Sequence, residues 1–243
     1  MTATSRAAKR FGLAAIAAVL LLAGGAAGWW LGAHARGTAP ARESLPVLGQ
    51  APSFHGLTNE LGQTIDSSLL QGKVQVVTFL FPYCTTYCPL IAAHLVGLEN
   101  VVRLAGLQDR VRIVAFNVDP GGTGPRQMRA FLKEYGWNPR DTRWEFLTGK
   151  PQAIRRVVTQ GYHIAYQKVA DGEDGAQGPA LTPQPEVVNA LAAKAQVGYD
   201  ITHNDGLAIV DPQGRIRRYY TQADVVSNER LFGVIQALLV PRS

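Results

Sequence analysis

The chain contains two cysteines, Cys84 and Cys88, four residues apart in Pro82-Tyr83-Cys84-Thr85-Thr86-Tyr87-Cys88-Pro89. A continuous β-branched and aromatic run, Val74 to Phe81, precedes them, and an apolar-periodic segment reaching about Ala105 follows. The pair therefore falls at an expected strand-to-helix junction. Positions i and i+4 of a helix share one face about one turn apart, so both sulfurs can reach the same small space. Oxidised, such a pair can form a disulfide, since Cα separations of about 4.4–6.8 Å are bridgeable. Reduced, it offers two soft thiolates, and a helix N-terminus favours the charged form for nucleophilic attack and metal ligation alike. A purely structural disulfide is the weaker reading, because so short a loop constrains the unfolded chain little.

Two ligands leave a metal site incomplete, and the chain has five histidines from which to draw a third. His34 lies at an expected membrane edge and His55 in an early hairpin. His94 is six residues beyond Cys88, which turns it away from the cysteine face of the same helix. His163 lies in an expected strand, Tyr162 to Val169, where either face is open to it. His203 sits in Asp200-Ile201-Thr202-His203-Asn204-Asp205, a polar loop ahead of the strand Gly206 to Val210, and polar loops on a rigid scaffold often carry site residues. Softness selects the metal. Two thiolates and one imidazole suit copper, as Cu(I) in a low-coordinate site or Cu(II) with an added ligand, whereas structural zinc takes four protein ligands.

The elements that must position these residues alternate. After the first strand and helix come a buried strand at Val111 to Val118 and a helix at Gly124 to Tyr135 with Pro125 in its first turn. A short strand at Trp144 to Leu147, a helix at Pro151 to Gln160 and the Tyr162 strand continue the pattern. Residues 170–185 are rich in Gly, Pro and acidic groups and read as a surface excursion, with a short helix at Glu186 to Ala195. Strands at Gly206 to Val210 and Arg215 to Tyr220 flank the turn Asp211-Pro212-Gln213-Gly214, and Val225 to Val240 closes the chain as a helix. Ser53 to Leu70 reads as a hairpin and turn. This order predicts an α/β fold, a central sheet with helices on both faces.

The N-terminal region is of another kind. Residues 1–10 carry Arg6, Lys9 and Arg10, and an uncharged apolar run follows from Phe11 to Ala33. As a helix it would reach roughly 34 Å, against a hydrocarbon core of about 30 Å, so residues 11–33 are expected to form a transmembrane anchor. The flanking positive charge puts residues 1–10 in the cytoplasm and the domain on the extracytoplasmic, periplasmic side. The competing reading is a signal peptide cleaved near Ala33-His34-Ala35, which exports the domain equally. Residues 34–50 read as a linker and 51–243 as the domain. Of the net charge of +6, the N-terminal tail supplies three, which leaves too little for a nucleic-acid surface. The groups Arg126/Arg129/Lys133 and Arg215/Arg217/Arg218 read as solvated faces.

The combination of Gly72-Lys73, Cys84-x-x-x-Cys88-Pro89, Val118-Asp119-Pro120 and His203, nine residues before the Pro212 of Asp211-Pro212-x-Gly214, resembles the Sco/SenC family of cytochrome c oxidase assembly factors. The resemblance implies a thioredoxin-like fold behind an N-terminal tether. It also implies Cys84, Cys88 and His203 as copper ligands, and delivery of copper to the binuclear centre of an oxidase subunit, or to another copper protein, or reduction of that subunit's cysteines. Three departures bear on the partner: Thr202 stands where the family has Asp, Gly121-Gly122-Thr123-Gly124-Pro125 lacks an acidic residue, and the excursion at 170–196 is long.

Two classes of function compete. A metallochaperone, a binding protein and not an enzyme, needs His203. A thiol-disulfide oxidoreductase needs only Cys84 as nucleophile and Cys88 as resolving thiol. A peroxidase of related fold would want Thr/Ser and Arg around one cysteine, and Thr85 and Arg143 are too unspecific for it.

Overall fold

The computed structural model describes residues 45–140, 144–170, 198–203 and 205–239. The expected anchor at 11–33, most of the linker, Arg143 and the excursion from 171 to 197, with its expected helix, lie outside them. Among the described residues no helix is long and apolar enough to cross a membrane.

The strand Val74–Leu80 (β4, after the two-residue strands β1 Gly49–Gln50, β2 Leu57–Thr58 and β3 Thr64–Ile65) is buried at all seven positions. It pairs in parallel with β5 (Val111–Asn117), which pairs in parallel with β6 (Trp144–Leu147). On its other side β4 meets β9 (Leu207–Val210) in antiparallel register, then β10 (Arg215–Tyr220) and β1 complete a six-stranded sheet in the order β1-β10-β9-β4-β5-β6. The continuous apolar runs at β4 and β5 follow from this central place, because neither face of the strand meets water.

Both faces are covered. Phe116 and Phe146, one step out of phase across the β5–β6 register, point to opposite sides. Phe116 packs edge-on against Phe54 at 5.7 Å and beside Tyr162 at 5.8 Å, whereas Phe146 meets Phe131 of helix α2 (Pro125–Glu134) at 6.2 Å. Helix α1 (Tyr87–Leu104) lies against the C-terminal helix α4 (Asn228–Leu239). Helix α3 (Pro151–Arg155) widens into a π-helical turn, Arg156–Gly161, where a longer α-helix was expected.

Several expectations need correction. Gly49 and Gln50, expected within the linker, pair with Ile216 and Arg215 and so belong to the sheet. His163 lies in a turn with φ of 59°, and the strand starts later, at β7 (Tyr166–Ala170). Arg217 is no solvated residue. It is 3% exposed and donates from Nη1 to Asp211 Oδ2 at 2.8 Å, from Nε to Pro46 O at 3.1 Å, and from Nη2 to Leu45 O. Arg215 Nε reaches the same Asp211 oxygen at 2.8 Å. The period-two pattern shows which residues share a face, but not that an aspartate four to six residues earlier would hold two arginines there.

Asp211→Ala is expected to destabilise the protein by about 3–5 kcal/mol in urea unfolding, because it leaves the Arg217 charge buried and unpaired. A second titrating group lies where the β2–β3 hairpin meets β6. Glu60 is 1% exposed and accepts from the Phe146 N–H at 2.8 Å, and burial pushes its carboxyl up to about 7. The folded-state value exceeds the unfolded one. Stability from this site is therefore full below about pH 4.5 and is lost as pH rises through 7, by roughly 3 kcal/mol at most. Glu60→Gln should flatten that dependence, read from urea midpoints at pH 5 and pH 8.

Candidate functional site

β4 ends at Leu80, and the turn that follows lays the cysteines against the end of the sheet. Cys84 sits in this turn, before the helix, with its N–H donating to Phe81 O at 3.0 Å. Only Cys88 lies within α1, in its first turn. The expectation that both occupy one helical face is thus replaced by a turn residue folded back onto a helical one. The sulfurs meet all the same: the Cys88 thiol hydrogen-bonds Cys84, both cysteines are buried, and both are free of disulfide.

His203 is brought to them from far along the chain, its Nε2 lying 3.5 Å from Cys88 Sγ. It stands at the end of a strand, β8 (Tyr199–His203), and not in a loop. β8 pairs antiparallel with β7, with Tyr166 opposite His203, in a ribbon separate from the main sheet. The polar composition of 200–205 conceals this strand, because its partner precedes the excursion and the ribbon is half exposed.

The other described histidines are elsewhere. His94 Nδ1 contacts Ala223 O at 3.2 Å, His55 is exposed beside Asp66 at 3.8 Å, and His163 is exposed in its turn. Among the described residues no three or more His, Cys, Asp or Glu side chains stand together as a group that could hold a metal ion as they are placed. The trio is a thiol pair in contact with an imidazole.

The two thiols are unlike. The hydrogen bond from Cys88, the nearby His203 and the Thr86 hydroxyl at 3.4 Å lower Cys84 to about 6 against the opposing effect of burial. Burial, then the bond to Cys84 and its charge, pushes Cys88 well above the ordinary thiol range, and Asp200 adds to this. At neutral pH the pair is a Cys84 thiolate accepting from a Cys88 thiol. Thr202, at the place where the family's Asp was expected, is exposed. Asp200 is buried, and the Asp205 carboxylate lies within electrostatic reach of His203.

Sequence reading missed the residues that support this trio. Tyr199 donates to Asp119 Oδ2 at 2.7 Å and stacks on Phe81 at 6.0 Å, and Lys168 lies over its ring at 3.3 Å. Asp119 carried a signal, in Val118-Asp119-Pro120, but Tyr199 carried none. An open cleft of about 510 Å³ adjoins this support, between Asp119 to Gly121, Arg155 and the β7–β8 residues Tyr166, Lys168 and Ile201.

A dithiol at the end of a parallel β-α-β unit, buried beside an imidazole from a later strand, defines a thioredoxin-like α/β protein. Residues 50–180 match the SCO1/SenC family model, and the chain belongs to that family. The match includes both cysteines and stops short of His203. A curated relative, the SCO1 protein homolog of Bacillus subtilis, is 32% identical over 116 residues, 48% of this chain, and the match spans 58% of the relative's length.

Solved structures share the fold at lower identity. A SCO1/SenC family lipoprotein from Bacillus anthracis aligns with a TM-score of 0.61 at 21% identity, covering 81% of this chain and 99% of its own. Arabidopsis thaliana ScoI with copper bound gives 0.56 at 21%, over 77% and 96%. BsSco, described as a member of the Sco family of cytochrome c oxidase assembly proteins with a disulfide switch, gives 0.57 at 21%, over 80% and 97%.

The thiol asymmetry is open to test in the reduced, metal-free protein. Alkylation of Cys84 should rise with a midpoint near pH 6, with Cys88 unreactive across the same range. Cys88→Ala should move the Cys84 midpoint upward by removing its hydrogen-bond donor, as read by mass spectrometry after timed iodoacetamide quenches.

Proposed function

We propose that this protein is an extracytoplasmic copper metallochaperone that takes up a copper ion on Cys84, Cys88 and His203 and passes it to the copper centre of a cytochrome c oxidase subunit. Residues 11–33 are its membrane anchor in this reading. The observation that carries it is the 3.5 Å between Cys88 Sγ and His203 Nε2, with the Cys84 sulfur hydrogen-bonded alongside. A soft metal bonded at about 2.3 Å to sulfur and about 2.0 Å to nitrogen at a tetrahedral angle separates those two atoms by about 3.5 Å. The donor set also fits: two sulfurs and one imidazole favour copper over the hard cations. Copper is the cargo here. Ligation displaces the Cys88 proton, so uptake releases protons and weakens as pH falls.

A second reading has its own support. A thiolate at Cys84 with a midpoint near 6 and a protonated neighbour is the arrangement of an attacking and a resolving thiol. Cys84 would attack a partner's disulfide, expelling one partner thiolate. Cys88, on losing its proton, would then displace the other and leave a Cys84–Cys88 disulfide. Reduction of a partner's cysteines in this way prepares them to accept metal, so the two roles are compatible.

The reduced protein is expected to bind one equivalent of copper, with thiolate charge-transfer absorption on Cu(II) addition, and both signals should weaken in His203→Ala. If copper is not retained while dithiol-disulfide cycling is intact in both proteins, the reductase reading replaces the chaperone.

A further inference from the structure

The cysteines and His203 belong to separate sheets. Cys84 and Cys88 follow β4 of the main sheet, while β8 pairs with β7 in its own ribbon. Main-sheet hydrogen bonding holds the chain beyond His203, where Thr78 Oγ1 donates to Gly206 O and β9 pairs with β4, but not the start of β8, so other contacts must fix the direction in which the strand presents His203.

Tyr199, at the start of β8, makes contacts that can do so. Residues 199, 201 and 203 share a strand face, so seating the first constrains the third. The Tyr199 ring stacks on Phe81 with an interplanar angle of 26°, and Phe81 is the residue whose carbonyl holds the Cys84 N–H. The opposing cation is Lys168 of β7, 3.3 Å from the ring centroid. The hydroxyl is fixed by Asp119 at 2.7 Å. Asp119 is itself immobilised, because its N–H donates to Asn117 Oδ1 at 2.9 Å, and the fully buried Asn117 donates to Thr123 Oγ1 at 2.9 Å and Thr123 O at 3.1 Å. The loop reaches the hydroxyl only because residue 122 is glycine: a Cβ there would overlap both the Tyr199 hydroxyl and the Asp119 carboxylate.

We propose that Tyr199 is the positioning residue of the site, clamped by Phe81, Asp119 and Lys168 so that β8 holds the His203 imidazole against Cys88. Its consequence for copper rests on the reading above, whereas its effect on geometry does not. The clamp also accounts for Gly122, within the segment that departs from the family's acidic residue: bulk at position 122 is incompatible with the Tyr199–Asp119 bond.

Two variants break the clamp from opposite sides. Tyr199→Phe keeps the ring and removes the hydroxyl. Gly122→Ala crowds the same hydrogen bond without altering β8 or any ligand. In the reduced, metal-free protein, both are expected to shift the His203 imidazole NMR resonances in the direction produced by Cys88→Ala, which removes the contact outright. Copper affinity should fall about 10- to 100-fold in each, the loss typical of removing a group that orients a ligand, with little further loss when either is combined with His203→Ala. Unchanged His203 resonances in both variants would overturn the proposal, as would an affinity loss equally large in the His203→Ala background. A wild-type protein that fails to bind copper would defeat the chaperone reading alone, since the metal-free resonances still decide the positioning.

Discussion

The two-faced burial of β4 is the constraint on which the rest of the structure depends. All seven of its residues are buried, with β5 on one edge and β9 on the other, so its end is the most fixed point in the fold. A central strand has no freedom to slip, because a shift of one residue would exchange its entire set of facing side chains. The cysteine turn inherits that rigidity through the Phe81 carbonyl, and α1 begins immediately after it. The polar groups the strand carries are satisfied locally: Gln75 Nε2 donates to Leu70 O at 3.4 Å and Thr78 Oγ1 to Gly206 O at 3.4 Å. The second of these fastens the chain just beyond His203 to the strand that leads to the cysteines.

Low dielectric then makes each buried charge or thiol a matter of specific partners. Asp211 shows the satisfied case: two arginines and the N–H groups of Gln213 and Arg215 hold its carboxyl below the ordinary range against its own burial. Glu60 shows the partly satisfied case, where the Phe146 N–H does not offset burial and the acid form is favoured. The cysteine pair lies between them. One proton shared along the Cys88–Cys84 bond lets one sulfur ionise at the other's expense, the expected behaviour of two coupled titrating groups at close range.

The main sheet and its helices were legible in the sequence, because β4, β5 and β6 are apolar runs and Pro125 and Asp211-Pro212-Gln213-Gly214 mark a helix start and a turn. Cys84 and Cys88 were legible as a pair from spacing alone, and His203 was a candidate from its place in a polar segment, strengthened by its distance from the Pro212 turn in the family resemblance. What was not legible is long-range. Tyr166 opposite His203, Tyr199 against Asp119 and Arg217 against Asp211 each depend on a register or approach that no local period encodes. The strand character of 199–203 was hidden because its stability comes from pairing with β7, while Asp200, Thr202 and Asp205 give the segment a loop's composition. The cysteine turn was read as helix because i and i+4 spacing is equally met by a residue folded back from outside the first turn.

The carboxylates around His203 bear on why Thr202 is tolerated. Thr202 is exposed, on the face of β8 opposite to Ile201 and His203; Asp200 shares the face of Thr202 but is buried, and its charge makes a small contribution at Cys88. Burial, then the bond to Cys84 and its charge, holds Cys88 protonated, and the charge of Asp200 adds a smaller push in the same direction. In the proposed copper-bound state the same negative charges that oppose a second thiolate would stabilise a positive ion beside it. Thr202, exposed, makes no contact with the cysteine pair, and in the proposed clamp the orientation of His203 falls to Tyr199 at the other end of its strand.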